Sequence, residues 1–596
     1  MNALPERAAW LAGDVLLLAG TGANGAVEAS ATVAERPRDI ATRTFALSRN
    51  GKGSERLLIA SRFATPPADE ADQVSLTLAS GAEEVSVDPA QLAGSLTDPA
   101  AFLRAELGGL APAQRARALR FLWAAAAPSL ERTASFELAR LLASLHEELR
   151  PALPKMVISP DNSNTAHVDV AFQVTPRALW VRGWMHDRDG TATRLTLVAP
   201  EGGRAELVPG MFRTVRNDLD KYYGDEHGVR GWRHGYIRYA ELDGPSYVSN
   251  GWLIELETRD GEAVQKAAPD VVRDPIRARE AILLTLRYEP PGSDELMRDH
   301  VHPAVAAIQD GLEACAEIDT VVQLGVPPAA PSVSVIVPLY KELSFLEYQM
   351  AHWASDPHLQ QQDLIYALDS PEQAARLDRL ARGLHSMYGI PFRVAIMKGN
   401  AGFAGVNNCA AALARTGTLL LLNSDVVPDR PGWLERMKAF HDATPRIGAL
   451  GPKLLYEDDS LQHAGMYFYR ADQSRVWENM HYFKGQHRHF PAADVARQVP
   501  AVTGACLMVS RELYERVGGL SYRYVQGGYE DSDFCLRLLE EGAEQWYMPG
   551  AELYHLEDQS YPKDVRERAT RYNMWLHTEL WDERMERLMQ QFPGLA

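Results

Sequence analysis

Thr418-Leu-Leu-Leu-Leu-Asn-Ser-Asp425 decides how the C-terminal half of this 596-residue chain is read. Five apolar or β-branched residues in a row predict a strand covered on both faces, as in a parallel sheet with helices on either side. Where such a strand stops, the next turn faces the crevice at the carboxyl edge of the sheet, where open α/β folds bind ligands. Asn423, Ser424 and Asp425 reach that edge together. One carboxylate beside two small oxygen-bearing side chains suits a hard divalent cation that completes its shell with water and phosphate oxygens. A plain turn or helix cap uses the same residue types, so the flanking sequence has to decide.

Upstream, Ser332-Val-Ser-Val-Ile-Val-Pro-Leu-Tyr340 predicts a strand closed by a turn that contains Pro338 and Tyr340. A helix over 343–354, a strand Asp363–Asp369, a helix over 372–387 and a strand Phe392–Met397 follow. Strands alternating with helices mean βαβ units and a parallel sheet. Asp369 ends its strand at the same edge as Asp425, and capping the helix after Pro371 is its plainer use. Asn400-Ala-Gly-Phe-Ala-Gly-Val-Asn407 opens the next helix. Backbone N–H groups at Asn400, Gly402 and Phe403 suit close approach of a diphosphate, with an ordinary cap as the alternative. Downstream, Glu530-Asp531 opens an amphipathic helix whose Phe534, Leu538 and Leu539 should pack inward, its acids suiting the helix dipole.

Five blocks in this order resemble the GT-A-fold nucleotide-sugar glycosyltransferases, in particular the inverting family 2 with its rhamnosyl- and galactofuranosyltransferases. They are Val335-Ile-Val-Pro338, Asp369-Ser370, Asn400 to Asn407, Leu422-Asn-Ser-Asp425, and Val502-Thr-Gly-Ala505 through Gly518-Gly-Leu520 to Tyr529-Glu-Asp-Ser-Asp-Phe-Cys-Leu-Arg537. Tyr554-His555 completes the set, and the likeness covers about residues 331–580. The resemblance implies a Rossmann-like α/β domain with a mostly parallel sheet. It implies a nucleoside-diphosphate sugar donor, with Asp369 at the nucleobase or ribose and Asn400, Gly402, Phe403 and Asn407 on the donor side. Asn423-Ser-Asp425 stands where the family has Asp-x-Asp, so Asp425 is the one sure carboxylate ligand for Mn2+ or Mg2+, with His555 as second ligand. Asp531 is implied as general base, kept ionised by the helix N-terminus, with Glu530 binding the acceptor hydroxyl. Thr503 and Gly504 are expected to shape the sugar pocket.

The N-terminal half lies outside that likeness. Short strands over 1–95 predict a β-rich domain, 96–160 a helical segment with helices near 101–107, 112–126 and 135–148, and 161–290 a second β-sandwich. Residues 291–330 read as a helical linker ending in the proline-rich Val326–Pro331, before an α/β domain over 331–596. Trp180, Trp184, Trp232 and Trp252 suit either a sandwich core or a sugar-stacking platform. The stretch 477–490, with His481, Lys484, His487, Arg488 and His489, reads as a solvated loop or a mobile acceptor- or diphosphate-binding one.

Composition narrows the function further. The net charge of −18, with no basic block, disfavours nucleic acid and anionic membranes as partners. Four scattered cysteines without a CxxC pair argue against zinc and disulfides and fit a reducing compartment. No run approaches the roughly 20 apolar residues of a membrane span, so a cytoplasmic protein is expected, with peripheral membrane association and homo-oligomerisation left open. The leading expectation is glycosyl transfer to a saccharide or lipid-linked glycan in surface polysaccharide synthesis. The alternatives are a non-catalytic carbohydrate-binding scaffold and a nucleotidyltransferase, the latter disfavoured because Val337-Pro-Leu-Tyr-Lys-Glu342 is not a Gly-rich basic loop.

Overall fold

The computed structural model describes residues 4–12, 15–23, 28–33, 36–49, 54–63, 74–80, 83–87, 98–111, parts of 114–144, 164–187, 192–208, 210–227, 233–259, 263–287, 294–556 and 563–592. Residues 1–278 and 279–596 form two compact units.

In the first unit, strands Leu4–Ala12, Val15–Ala23, Ile40–Arg49 and Ser54–Phe63 form one four-stranded sheet. Glu28–Val33, Arg36–Arg38, Val74–Ser80 and Glu83–Val87 form another, and both contribute to a core with Leu16, Leu18, Ile59, Leu76 and Leu78. The helix Pro99–Leu107 follows, with the Asp98 carboxylate accepting from the Ala101 N–H. A five-stranded and a four-stranded sheet then share a second core around Leu179, Val181, Trp252 and Ile254. Trp180 and Trp252 are fully buried, so they are core and not a sugar-stacking platform. Trp184 is half-buried against Tyr223. Trp232 and most of the helix expected over 135–148 lie outside the described residues.

The second unit is built on an eleven-stranded mixed sheet. Its strands are β1 (Ile318–Leu324), β2 (Ser334–Leu339), β3 (Asp363–Leu368), β4 (Phe392–Met397), β5 (Thr418–Leu422), β6 (Val426–Pro428), β7 (Ile447–Leu455) and β8 (Leu461–His463). A separate hairpin, β9 (Met466–Tyr469) and β10 (Glu478–His481), precedes β11 (Arg497–Gln498), β12 (Cys506–Ser510) and β13 (Glu544–His555). The order is β1-β4-β3-β2-β5-β12-β7-β13-β6, with β8 on β7 and β11 on β13. Helices α1 (Ser344–Trp353), α2 (Ala374–Tyr388), α3 (Gly402–Ala412), α4 (Trp433–Ala443), α5 (Glu530–Glu540) and α6 (Lys563–Gln591) belong to this unit.

The mostly parallel sheet expected from the sequence holds only for β4-β3-β2-β5. Beyond β5 the ladders are antiparallel except for β7 with β13. The reason is the connection. The chain reaches β12 through the excursion β8–β11 and not through a helical crossover, so β12 returns alongside β5 in the opposite sense. A second difference concerns residues 291–330, expected to be a helical linker. His302–Ala314 is a helix, but Ile318–Leu324 is an edge strand antiparallel to β4.

β5 is buried along its whole length, and its leucines divide between the two faces. Leu419 and Leu421 join the layer that contains Ala404 and Ala410 of α3, while Leu420 and Leu422 join Leu346 and Met350 of α1. Each leucine so buried contributes about 1.5–3 kcal/mol. The amino ends of the neighbouring strands are tied by the buried Asp363 carboxylate. It accepts from Arg393 at 2.6 and 2.7 Å, from Ser334 Oγ at 2.7 Å and from the Arg415 N–H at 3.1 Å. Removing one member of a buried pair strands the other's charge. Arg393→Met is therefore expected to lower the unfolding free energy by about 3–5 kcal/mol in urea melts. A change below about 1 kcal/mol would refute a structural role for the pair.

Candidate active site

β5 delivers Asn423 to Asp425 to the carboxyl edge, where the Asn423 N–H donates to the Ala505 carbonyl at 2.9 Å. β6 pairs antiparallel with β13 in a register that sets Val426 opposite His555. This brings His555 Nε2 to 3.4 Å from Asp425 Oδ1, although 130 residues separate them in the chain. Gln462, from β8, then fixes the ring. Its Nε2 donates to the His555 carbonyl at 3.3 Å, so its Oε1, 2.8 Å from His555 Nδ1, accepts the imidazole proton there. In the neutral ring the Nε2 lone pair then faces Asp425, the tautomer that binds metal.

Asn423 Oδ1 is buried without a hydrogen-bond partner. A carboxylate oxygen, an imidazole nitrogen and an orphaned amide oxygen make a donor set that fits a divalent cation. Among the described residues no group of three or more His, Cys, Asp or Glu surrounds such a position, so an ion there takes the rest of its shell from ligand oxygens and water.

The loop before α5 also lines the cleft. Gln526, Gly527, Gly528 and Tyr529 all have positive φ, at 59°, 82°, 108° and 76°. For Tyr529 that conformation costs about 1–3 kcal/mol, so surrounding contacts must impose it. Asn573 of α6 is one of them. Its amide donates to the Val525 and Gly528 carbonyls at 3.0 and 2.9 Å and accepts from the Val525 N–H at 2.9 Å. The loop turns Glu530 and Asp531 into the cleft. Asp531 accepts from the Gly504 N–H at 2.9 Å and the Ser532 N–H at 2.8 Å. A Cβ on Gly504 would lie 3.3 Å from that of Asp531, which explains a glycine there.

Glu530 is buried, and its Oε2 has no hydrogen-bond partner. Desolvation pushes its carboxyl up, and the neighbouring Asp531 adds to the shift. Asp531 is also pushed up by burial, against the pull of the Gly504 and Ser532 N–H groups. The helix N-terminus expected to keep Asp531 ionised therefore works against burial, which shifts the carboxyl the other way.

A single cleft of about 430 Å³ collects most of the residues singled out from the sequence. Asn423, Ser424, Asp425 and His555 line it together with Thr503, Gly504, Glu530 and Asp531. Pro338, Tyr340, Asp369 and Phe403 complete that set. Asn400, Gly402 and Asn407 are not in its wall. The Gly402 N–H donates to Asp369 Oδ2 at 3.0 Å, the Ala401 N–H to Oδ1 at 2.6 Å, and Asn400 Nδ2 to Oδ2 at 2.9 Å. The Gly402 N–H expected for a diphosphate is thus engaged by Asp369, which caps α3 and not the turn after Pro371. Burial pushes the Asp369 carboxyl up to about 7, partly offset by the Ala401 and Gly402 N–H groups. Asn407 is fully buried and donates to the Phe403 carbonyl at 2.8 Å.

Sequence reasoning missed Gln462, whose role follows only from the long-range pairing of β8 and β13 with β7. Within 477–490, His481 ends β10 and lines the cleft with Lys484. Arg488 is held by Asp429 at 3.0 Å, Asp459 at 2.7 Å and Glu552 at 2.6 Å, so at that residue the stretch is ion-paired and not simply solvated.

Residues 329–574 match the family model described as Glycosyltransferase like family 2. The chain is 30% identical over 246 residues to the uncharacterized protein y4gI of Sinorhizobium fredii (strain NBRC 101917 / NGR234), covering 41% of this chain and 26% of that one. It is 28% identical over 173 residues to the O-antigen biosynthesis protein RfbC of Myxococcus xanthus, covering 27% and 13%. It is 29% identical over 144 residues to the N-acetylglucosaminyl-diphospho-decaprenol L-rhamnosyltransferase of Mycobacterium tuberculosis (strain CDC 1551 / Oshkosh), covering 22% and 45%. The chain therefore spans about a quarter of the first relative's length and under half of the third's. Residues 329–574, the segment that builds this cleft, are a glycosyltransferase family 2-like domain.

Proposed function

We propose that this domain is an inverting, metal-dependent glycosyltransferase that moves a sugar from a nucleoside diphosphate to a saccharide or lipid-linked glycan. The observation that carries the reading is convergence. Asp425 with His555 and Glu530 with Asp531 come from distant parts of the chain to line one cleft. The relatives named for O-antigen biosynthesis and rhamnosyl transfer support a role in surface polysaccharide synthesis.

In this reading an acceptor hydroxyl lies against the acidic pair, with Glu530 binding it and Asp531 taking its proton. The hydroxyl oxygen bonds to the anomeric carbon as the bond to the diphosphate breaks, and the bonding electrons leave with the diphosphate. A single attack from the face opposite the leaving group inverts the anomeric centre, with no enzyme nucleophile required. Mn2+ or Mg2+ held by Asp425, His555 and the Asn423 amide oxygen would supply Lewis-acid stabilisation of the departing diphosphate. Pro338, Tyr340, Asp369 and Phe403 border the nucleotide, and Thr503 and Gly504 the transferred sugar.

The test is a donor-hydrolysis screen across UDP-, GDP- and dTDP-sugars with Mn2+, Mg2+ or EDTA. Hydrolysis of at least one donor, lost in EDTA and restored by added cation, is the expected result. No hydrolysis and no binding of any donor would overturn the proposal.

A further inference from the structure

Gln462 and His463 are adjacent on β8, and each sets the tautomer of one imidazole in the cleft. Gln462 holds His555 with its Nε2 bare. His463 is fully buried, and its Nδ1 lies 3.0 Å from Nδ1 of His481. Between two ring nitrogens so close, one donates and the other accepts. The Nε2 of His463 is buried without a partner, facing the backbone at Gly451, where an added Cβ would come to 3.1 Å. A proton on that nitrogen would be an orphaned buried N–H, which native structures avoid more strictly than an unfilled acceptor. The proton of His463 therefore sits on Nδ1 and is donated to His481.

With its Nδ1 engaged as an acceptor, the neutral ring of His481 carries its own proton on Nε2, and this imidazole lines the cleft. Desolvation holds the ring well below the usual histidine range, and the charge of Lys484 pushes the same way. Lys484 also lines the cleft, exposed, with its ammonium 5.7 Å from the centre of the Tyr456 ring. Among the described residues no carboxylate forms an ion pair with it. A fixed N–H donor and an uncompensated cation three residues apart make a place for an anion, in a chain whose net charge is −18.

We infer that His481 and Lys484 form an anion subsite that grips the diphosphate of the donor nucleotide, with His463 as the positioning residue that fixes the His481 proton on Nε2. The two imidazoles of the cleft thereby divide their work. His555 presents a lone pair, and His481 presents a proton. The identity of the anion rests on the transferase reading above.

Calorimetry on the full chain with Mn2+ tests this, using UDP, GDP and dTDP and the monophosphate of whichever binds. His481→Leu and Lys484→Met are each expected to weaken diphosphate binding by about tenfold or more while changing monophosphate binding by less than about twofold. His463→Phe is expected to give a smaller loss with the same selectivity. Lys484 is exposed, so its variant keeps the test alive if His481→Leu fails to fold. An unchanged ratio of diphosphate to monophosphate affinity in both cleft variants would overturn the subsite and leave the transferase reading standing. A wild-type protein that binds none of the three diphosphates would overturn both.

Discussion

Asp531→Asn is expected to lower the rate of glycosyl transfer by about 10²–10⁴-fold while leaving nucleotide affinity within about twofold. The carboxamide cannot take a proton from an acceptor hydroxyl, while the Asp425–His555 pair is left intact. The substitution also has a structural cost. Both oxygens of Asp531 accept backbone N–H groups, from Gly504 and Ser532, and an amide can satisfy only one without turning a donor toward a donor. That conflict is worth about 1–3 kcal/mol, so a urea melt must accompany the kinetics to separate lost chemistry from lost fold. Wild-type turnover in a folded Asp531→Asn protein would end the assignment.

Burial of the pair gives this prediction a pH dependence whose sign can be stated. Both carboxyls are pushed above their ordinary range, so the folded state keeps protons that the unfolded chain has already released. Stability from this pair therefore falls as pH rises past the ordinary carboxylate range. Activity runs the other way, because the base works only when ionised, so kcat/KM rises over the same interval. The apparent value belongs to the pair. Glu530→Gln separates its members. If Asp531 is the base, the acid limb persists in that variant at reduced acceptor affinity, whereas loss of the limb with loss of turnover would make Glu530 the base.

The difference between what the sequence announced and what it hid follows from range. β5 was legible because four leucines in a row satisfy two apolar layers at once, whatever the neighbours are. Glu530 and Asp531 were legible because a helix start with acids is a local pattern. The antiparallel half of the sheet was not, since strand direction depends on how a connection is routed and not on the strand's own residues. β1 was hidden because its apolar residues, Ile318, Val321, Val322 and Leu324, are spaced more like one face of a helix than like the strict alternation of a strand. Asn400 and Gly402 looked like a phosphate cradle because a helix N-terminus offers free N–H groups. Only the tertiary structure reveals that Asp369 accepts the ones at Ala401 and Gly402. Gln462 had no local signal, because an uncharged side chain on a three-residue strand becomes informative only once His555 is beside it.

Asp425→Ala carries the other large expected effect, a loss of about 10²–10³-fold in cation-supported turnover. Its distinguishing feature is a linkage. In wild-type protein Mn2+ and the nucleoside diphosphate should each tighten the other's binding by the same factor, because the ion shares its shell between protein and diphosphate. In the variant that mutual tightening should largely vanish, so the affinity measured with Mn2+ falls to the value in EDTA. Gln462→Ala should give a milder form, about 10–100-fold, since it frees the His555 ring without removing a ligand. Stability gives the internal control. The Asp425 side chain contacts His555 at 3.4 Å, while the His555 Nδ1 proton stays with Gln462, so truncation strands no buried donor. Asp425→Ala should therefore melt close to wild type, in contrast to Arg393→Met, which strands the buried Asp363 carboxylate. A variant that keeps its Mn2+-dependent gain in nucleotide affinity would show that the cation is held elsewhere, and the metal assignment at the end of β5 would fall with it.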